Sequence, residues 1–142
     1  MIKQNIVFVE NKAGSLKRVT SLLANNNINI YGFACFDAPE FAIFRMICDD
    51  PDKAEIILNQ SGYMNRITQA IVVDMKDQVG GLDELLKIMA DSNVSLDYIY
   101  TSFHRKDLRP VVILHSEDIT VTESVLKNNG FKVFSAADEL EK

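Results

Sequence analysis

The side chains that could do chemistry are few. His104 and His115 have no Cys, Asp or Glu at metal-ligand spacing, apart from Glu117 and Asp118 beside His115. That trio reads as a strand end followed by a polar turn. CxxC, HExxH, GxSxG and Walker-type signatures are all missing. Gly80-Gly81 lacks the further glycines of a phosphate loop, and Cys35 has no recognisable base or oxyanion site. No catalytic residue, metal or cofactor is therefore expected. The informative residues are amides beside a glycine turn. Asn11 and Gly14 lie between a strand-like run and an amphipathic helix, and Asn29 follows that helix. First-turn helix N–H groups and the helix dipole favour an anion such as a carboxylate. Asparagine amides offer a donor and an acceptor, so the set suits a zwitterion. The plainer reading is that Asn11 makes a turn and Asn29 closes a loop.

The elements that would position these residues occur twice. Gly14 over Gly80 aligns Leu16 with Leu82, Ala24 with Ala90, Asn27 with Asn93 and Ile30 with Leu96, all at an offset of 66. Leu58 to Tyr63 aligns with Leu126 to Phe131 at an offset of 68. Periodicity of this kind marks a duplicated unit. Each half begins with a β-branched strand, Ile6 to Val9 or Ala70 to Met75. A helix follows each strand. Leu16, Val19, Leu22 and Leu23 form the apolar stripe of the first, and Gly80 to Ser92 covers the second.

Hairpins come next, Ile28 to Phe36 with Phe41 to Cys48, and Leu96 to Phe103 with Val111 to His115. Asp50 with Pro51 opens the second helix of the first half, and Thr120 with Glu123 reads as a capping box for its counterpart. Gly62 and Gly130 close these helices. Short last strands are expected at Tyr63 to Thr68 and Phe131 to Phe134. The order β-α-β-β-α-β, twice, predicts an α+β protein of two ferredoxin-like modules, 1–68 and 69–142, each an antiparallel sheet with helices on one face.

Composition agrees with that division. A 142-residue chain of 16.0 kDa buries roughly 68% of its unfolded surface, and half of it only about 62%. Two such modules are expected to pack together. With 47% hydrophobic and 25% charged residues the chain is neither disordered nor low-complexity. A net charge of −5 argues against nucleic acid as a partner. The short cluster Arg105, Lys106 and Arg109 reads as a solvated hairpin loop. No apolar run reaches the ~20 residues of a membrane helix, so no membrane partner is expected. Cys35 and Cys48 read as free thiols in a reducing, cytoplasmic setting, although neighbouring strands make a disulfide conceivable.

The stretch Val9 to Leu16 followed by Asn27-Ile28-Asn29-Ile30 resembles the ACT-domain family of small regulatory modules. So does Met75 to Leu82 followed by Asn93-Val94-Ser95-Leu96. The resemblance covers nearly the whole chain and is stronger in the first copy. It implies binding of a small molecule, most often an amino acid, at an interface between modules. Carried over by position, it marks Asn11, Ala13, Gly14, Ser15, Leu16, Asn29 and Ile30 as ligand-binding. The weaker second set is Asp77, Val79, Gly80, Gly81, Leu82 and Ser95. Ala13 and Val79 stand where the family often has proline, and Val9 where serine-sensing members have histidine. Asp77 and Ser95 replace the two asparagines. The expectation is a stand-alone tandem regulatory protein, a homodimer, with an amino acid as ligand and a partner enzyme as one route of output. A regulatory subunit acting in trans on a biosynthetic enzyme is the second reading, and a small enzyme the third.

Overall fold

Alternating apolar residues and two chain reversals build the first half from a hairpin outward. The computed structural model describes residues 1–142. Strand β1 (Ile2–Glu10) leads through a tight turn to helix α1 (Ser15–Asn25). The hairpin β2 (Ile30–Asp37) and β3 (Phe41–Cys48) follows, then helix α2 (Pro51–Gln60) and strand β4 (Asn65–Asp74). The plan repeats with α3 (Gly81–Asp91), β5 (Leu96–Phe103), β6 (Pro110–Ser116) and α4 (Ile119–Asn128). A 3-10 turn at Ala137–Leu140 ends it. The chain divides into two compact units, Lys3–Thr68 and Gln69–Lys142 together with Met1–Ile2.

In the N-terminal unit β3 is flanked by β1 and β2, antiparallel to both. Glu10 faces Phe41 and Asn5 faces Met46 on one side, and Asp37 faces Ala42 and Ile30 faces Cys48 on the other. Because both neighbours oppose β3, β1 and β2 run parallel. Val7, Val9, Phe44 and Met46 project from one sheet face into a cluster with Val19 and Leu23 of α1 and Ala54 and Leu58 of α2. Both helices thus lie on one face. Complete burial of a side chain such as Leu58 contributes about 1.5–3 kcal/mol.

The C-terminal unit repeats this, with β6 between β4 and β5 and antiparallel to both. Ile71, Val73, Val112 and Leu114 pack on Leu85 and Met89 of α3 and Leu126 of α4. The buried helix positions Ser15, Val19 and Leu23 correspond to Gly81, Leu85 and Met89, all shifted by 66. The β-α-β-β-α-β order of an α+β, ferredoxin-like module therefore appears twice.

Four details differ from expectation. The strands at Tyr63 to Thr68 and Ala70 to Met75 are one continuous β4, since no turn residue separates their β-branched runs. Phe131 to Phe134 forms a single bridge, Val73 with Val133, rather than a strand, because the chain turns away to bury Leu140 in the terminal 3-10 turn. Helix α4 is capped by Asp118, which accepts from the Val121 N–H at 3.2 Å. Thr120 lies inside the helix and makes no capping box. Cys35 and Cys48 are free, because the register sets Cys35 opposite Phe44 and Cys48 opposite Ile30. Asp50 caps α2 with Pro51 in the first turn, and Gly62 and Gly130 follow α2 and α4 at positive φ.

Candidate functional site

The four helix N-termini fall into two kinds. Asp50 and Asp118 cap α2 and α4 through their side chains. Helices α1 and α3 begin instead at Gly14 and Gly80, left-handed at φ 82° and 85°, with no side-chain cap. The first N–H of each donates to a carbonyl of the preceding turn, Ser15 to Lys12 at 3.1 Å and Gly81 to Gln78 at 3.0 Å, and the dipole adds positive potential at this end. The first turn of α1 holds no acidic residue; Lys17 and Arg18 follow Leu16 instead. The first turn of α3 holds Asp83 and Glu84. The α1 terminus favours an anion, whereas the carboxylates of α3 oppose one.

Around the α1 turn, Asn11 and Ala13 are exposed. The Asn11 amide donates to the Ala38 carbonyl at 3.2 Å, tying this turn to the β2–β3 turn. Ser15 is buried and its hydroxyl accepts from the Arg18 guanidinium at 3.1 Å. Leu16 and Ile30 meet across a groove of about 380 Å³ shared with Phe33 and Phe44. Val9 and Ser15 line a smaller cleft of about 240 Å³ with Glu10, Arg18 and Gly62.

Asn29 is elsewhere. Its N–H donates to the Asp49 carboxylate at 3.0 Å, and its carbonyl accepts from the Asp49 N–H at 3.0 Å. Glu10, next to Asn11, pairs with Phe41. Ile30, next to Asn29, pairs with Cys48. Seven residues of β3 at about 3.4 Å each separate those pairs by roughly 24 Å. The two asparagines thus stand at opposite ends of the unit and form no joint pocket within it. The reason is the crossover. Helix α1 returns the chain to the starting end of β1, so a strand parallel to β1 begins at the far end from Asn11.

The second copy obeys the same geometry. Asp77 lies beyond Asp74, which pairs with Val111, whereas Ser95 precedes Leu96, which pairs with Ser116. Asp77 lines a cleft of about 470 Å³ with Asp74, Lys76, Glu84, Arg109 and Lys132. Ser95 lines a separate cleft of about 530 Å³. Val79 is fully exposed and Leu82 half-exposed. Gly81 is buried because the Lys76 carbonyl oxygen presses on it where a Cβ would sit. The Asp77 cleft is the repeat counterpart of the Val9 cleft with charges exchanged: Glu10 and Arg18 become Lys76 and Glu84, which pair at 3.1 Å.

One network has no local sequence signal. His104 is buried, and its Nε2 lies 2.7 Å from Asp74. The other Asp74 oxygen accepts from Arg109 at 3.4 Å. Arg109 also pairs with Asp107 at 2.6 Å. That pairing raises the guanidinium and lowers the Asp107 carboxyl from their ordinary values. Arg109 of the basic hairpin loop is therefore paired with carboxylates, while Arg105 lies over the Phe103 ring. His115 binds Asp97 at 2.7 Å and stacks on Tyr98, away from a metal role with Glu117 and Asp118. No group of three or more His, Cys, Asp or Glu side chains could hold a metal ion. No helix is long and apolar enough to cross a membrane.

Comparison with solved structures supports the architecture. A Bacteroides thetaiotaomicron protein is 28% identical, with a TM-score of 0.89, covering 99% of this chain and 96% of its own. The ligand-free regulatory subunit of aspartate kinase from Thermus thermophilus is 14% identical, with a TM-score of 0.62, covering 90% of this chain and 91% of its own. Aspartate kinase from Synechocystis is 17% identical, with a TM-score of 0.57, and 94% of this chain matches 26% of that one. No curated protein matches. The family model for the ACT domain pair matches residues 1–141. With two β-α-β-β-α-β units and that match over almost its whole length, the chain belongs to the ACT domain pair family, whose domains are regulatory modules.

Proposed function

We propose that the protein is a non-catalytic regulator that binds a free amino acid, with the carboxylate received at the α1 turn of the N-terminal copy. The observation that carries this reading is the uncapped start of α1, left-handed at Gly14, with no acidic residue in its first turn. Asn11 stands beside it with an amide able to meet a polar headgroup. Leu16 and Ile30 line the neighbouring apolar groove, suited to an aliphatic side chain. The acidic first turn of α3 makes the second copy the poorer carboxylate site. Asn29 joins the same ligand from a second copy of the chain, because it lies at the opposite end of its own unit. That arrangement makes the active form a homodimer.

A thermal-shift screen against the twenty amino acids tests the reading. A ligand at 100 times its dissociation constant stabilises by about 2.7 kcal/mol, so at least one amino acid raises the melting temperature. Mixing Asn11→Ala with Asn29→Ala chains tests the dimer. Each variant alone loses binding, while random mixing in a two-fold dimer restores about one quarter of the sites. No recovery rules out a shared site.

A second reading is a regulatory subunit acting in trans on an amino-acid biosynthetic enzyme. It draws on the exposed apolar groove, where Phe33 is 61% exposed beside Leu16. It is also the kind of role named for the Thermus thermophilus neighbour. Co-purification of a stoichiometric enzyme subunit, lost in Phe33→Ser, would support it.

A further inference from the structure

The dipeptide Asn129-Gly130 occurs once in the chain and stands where α4 ends. An asparagine followed by glycine is prone to ring closure on its own backbone, because glycine has no Cβ to hinder the approach of its nitrogen to the carboxamide. Both residues are exposed. The fold nevertheless commits each reacting group elsewhere. The Gly130 N–H donates to the Lys127 carbonyl at 3.1 Å, and the Phe131 N–H to the Leu126 carbonyl at 3.0 Å. Asn129 Nδ2 donates to the Val125 carbonyl at 2.8 Å. Asn129 has φ −97° and ψ 15°. At that ψ the Gly130 nitrogen is swung away from the Asn129 Cβ, whereas a five-membered ring needs the two nearly eclipsed. The rotation required exceeds a right angle and breaks the Gly130 and Phe131 hydrogen bonds.

The other copy carries serine at this place. Ser61 precedes Gly62 with φ −94° and ψ 7°, and the two glycines share φ 82° and 81°. The turn therefore does not need an asparagine, and the carboxamide makes only the C-terminal copy reactive. A helix end opens at lower cost than the core, so the turn reaches the ring-closing geometry without unfolding of the whole unit. The product changes what it leaves behind. Aspartate at 129 loses the donor to Val125 and puts negative charge on the negative end of the α4 dipole. Isoaspartate lengthens the backbone by one carbon ahead of Phe131, which packs on the core of this unit. Asn129, Gly130, Phe131 and Lys132 line the cleft of about 470 Å³ that also holds Asp74 and Arg109.

We infer that Asn129 is a self-modification site guarded by the end of α4: when that turn opens, Asn129 deamidates and its new carboxylate alters the wall of the cleft. The Gly130 nitrogen, its proton given to hydroxide, attacks Asn129 Cγ; the N–Cγ bond forms, the Cγ–Nδ2 bond breaks, and Nδ2 takes a proton from water and leaves as ammonia. Water then opens the succinimide, giving aspartate where the N–Cγ bond breaks and isoaspartate where the bond to the Asn129 main-chain carbonyl breaks. The inference does not rest on the amino-acid reading. The full chain is incubated at mildly alkaline pH, folded and in guanidinium chloride, and mapped by tandem mass spectrometry. A gain of one mass unit is expected at Asn129 with an isoaspartate fraction, about tenfold or more slower in the folded chain, as the cost of opening the turn dictates. Asn129→Ser, the residue of the other copy, abolishes the modification and keeps the melting temperature. Asn129→Asp, which reproduces one product, lowers the melting temperature and shifts the amides of residues 129–132. Equal rates in folded and unfolded chains, no modification of Asn129 in denaturant, or an Asn129→Asp protein indistinguishable from the parent overturns the inference.

Discussion

Replacing Gly81 by alanine probes the tightest backbone approach in the second candidate turn. An added Cβ would lie well inside contact distance of the Lys76 carbonyl oxygen and 3.1 Å from the carbonyl carbon. Restoring normal carbon contacts requires the backbone to retreat by roughly an ångström or more. Because the obstacle is main chain, the turn across Asp77, Gln78 and Val79 has to move with it. Alanine recovers at most about 1 kcal/mol of helix propensity. Overpacking costs typically 1–3 kcal/mol, towards the upper end where no flexible side chain can give way. The expected net loss is about 1–2 kcal/mol. Gly80→Ala costs a similar amount for another reason: its Cβ meets nothing within 4 Å, but φ is +85°, which penalises an L side chain by about 1–2 kcal/mol. Urea unfolding gives the two stabilities, and hydrogen exchange of residues 76–84 separates the causes. Gly81→Ala should loosen those amides and Gly80→Ala should leave most of them protected. A Gly81→Ala protein that is more stable than the parent, with unchanged exchange, would refute the reasoning.

Other outcomes follow from single features. Asp50→Ala removes the cap on Lys53 and should cost about 0.5–2 kcal/mol in urea unfolding, with Asp118→Ala showing a comparable loss. Leu126→Ala empties a fully buried position and should cost about 2–5 kcal/mol. Burial, reinforced by the nearby charges of Asp49 and Asp50 and partly opposed by a backbone hydrogen bond from Asp50, pushes the Cys48 thiol up to about 12. The thiolate reacts with alkylating agents, so folded Cys48 should resist modification at pH 8 and gain reactivity only as pH approaches 12. Cys35 is less buried, and its thiol is raised by burial. It should be modified first in the folded protein, with both thiols reacting after denaturation.

The duplication was legible because its markers are residues with backbone duties. Gly14 and Gly80 carry left-handed turns, and Asn27 and Asn93 take the same positive φ after their helices. Strand and helix types followed from periodicity, and the Asp50 cap from its neighbour Pro51. The Asp118 cap was missed because Thr120 and Glu123 imitate a capping box two residues later. The left-handed glycine turn before α1 was legible, but the distance of Asn29 from it within the unit was not. Closeness in sequence suggested closeness in space, whereas a parallel β-α-β crossover carries Asn29 to the other end of the sheet. The His104–Asp74–Arg109 network and the Lys53 contact with Asn26 join residues about thirty positions apart. Only the folded register brings them together.

The most direct test of amino-acid binding at α1 is calorimetric titration of each of the twenty amino acids into the parent chain, Asn11→Ala and Asp77→Ala. The expected result is a saturable heat for at least one amino acid, lost in Asn11→Ala and retained in Asp77→Ala. Silence from all twenty, or binding that survives Asn11→Ala and disappears in Asp77→Ala, would contradict the assignment of the site to the N-terminal copy.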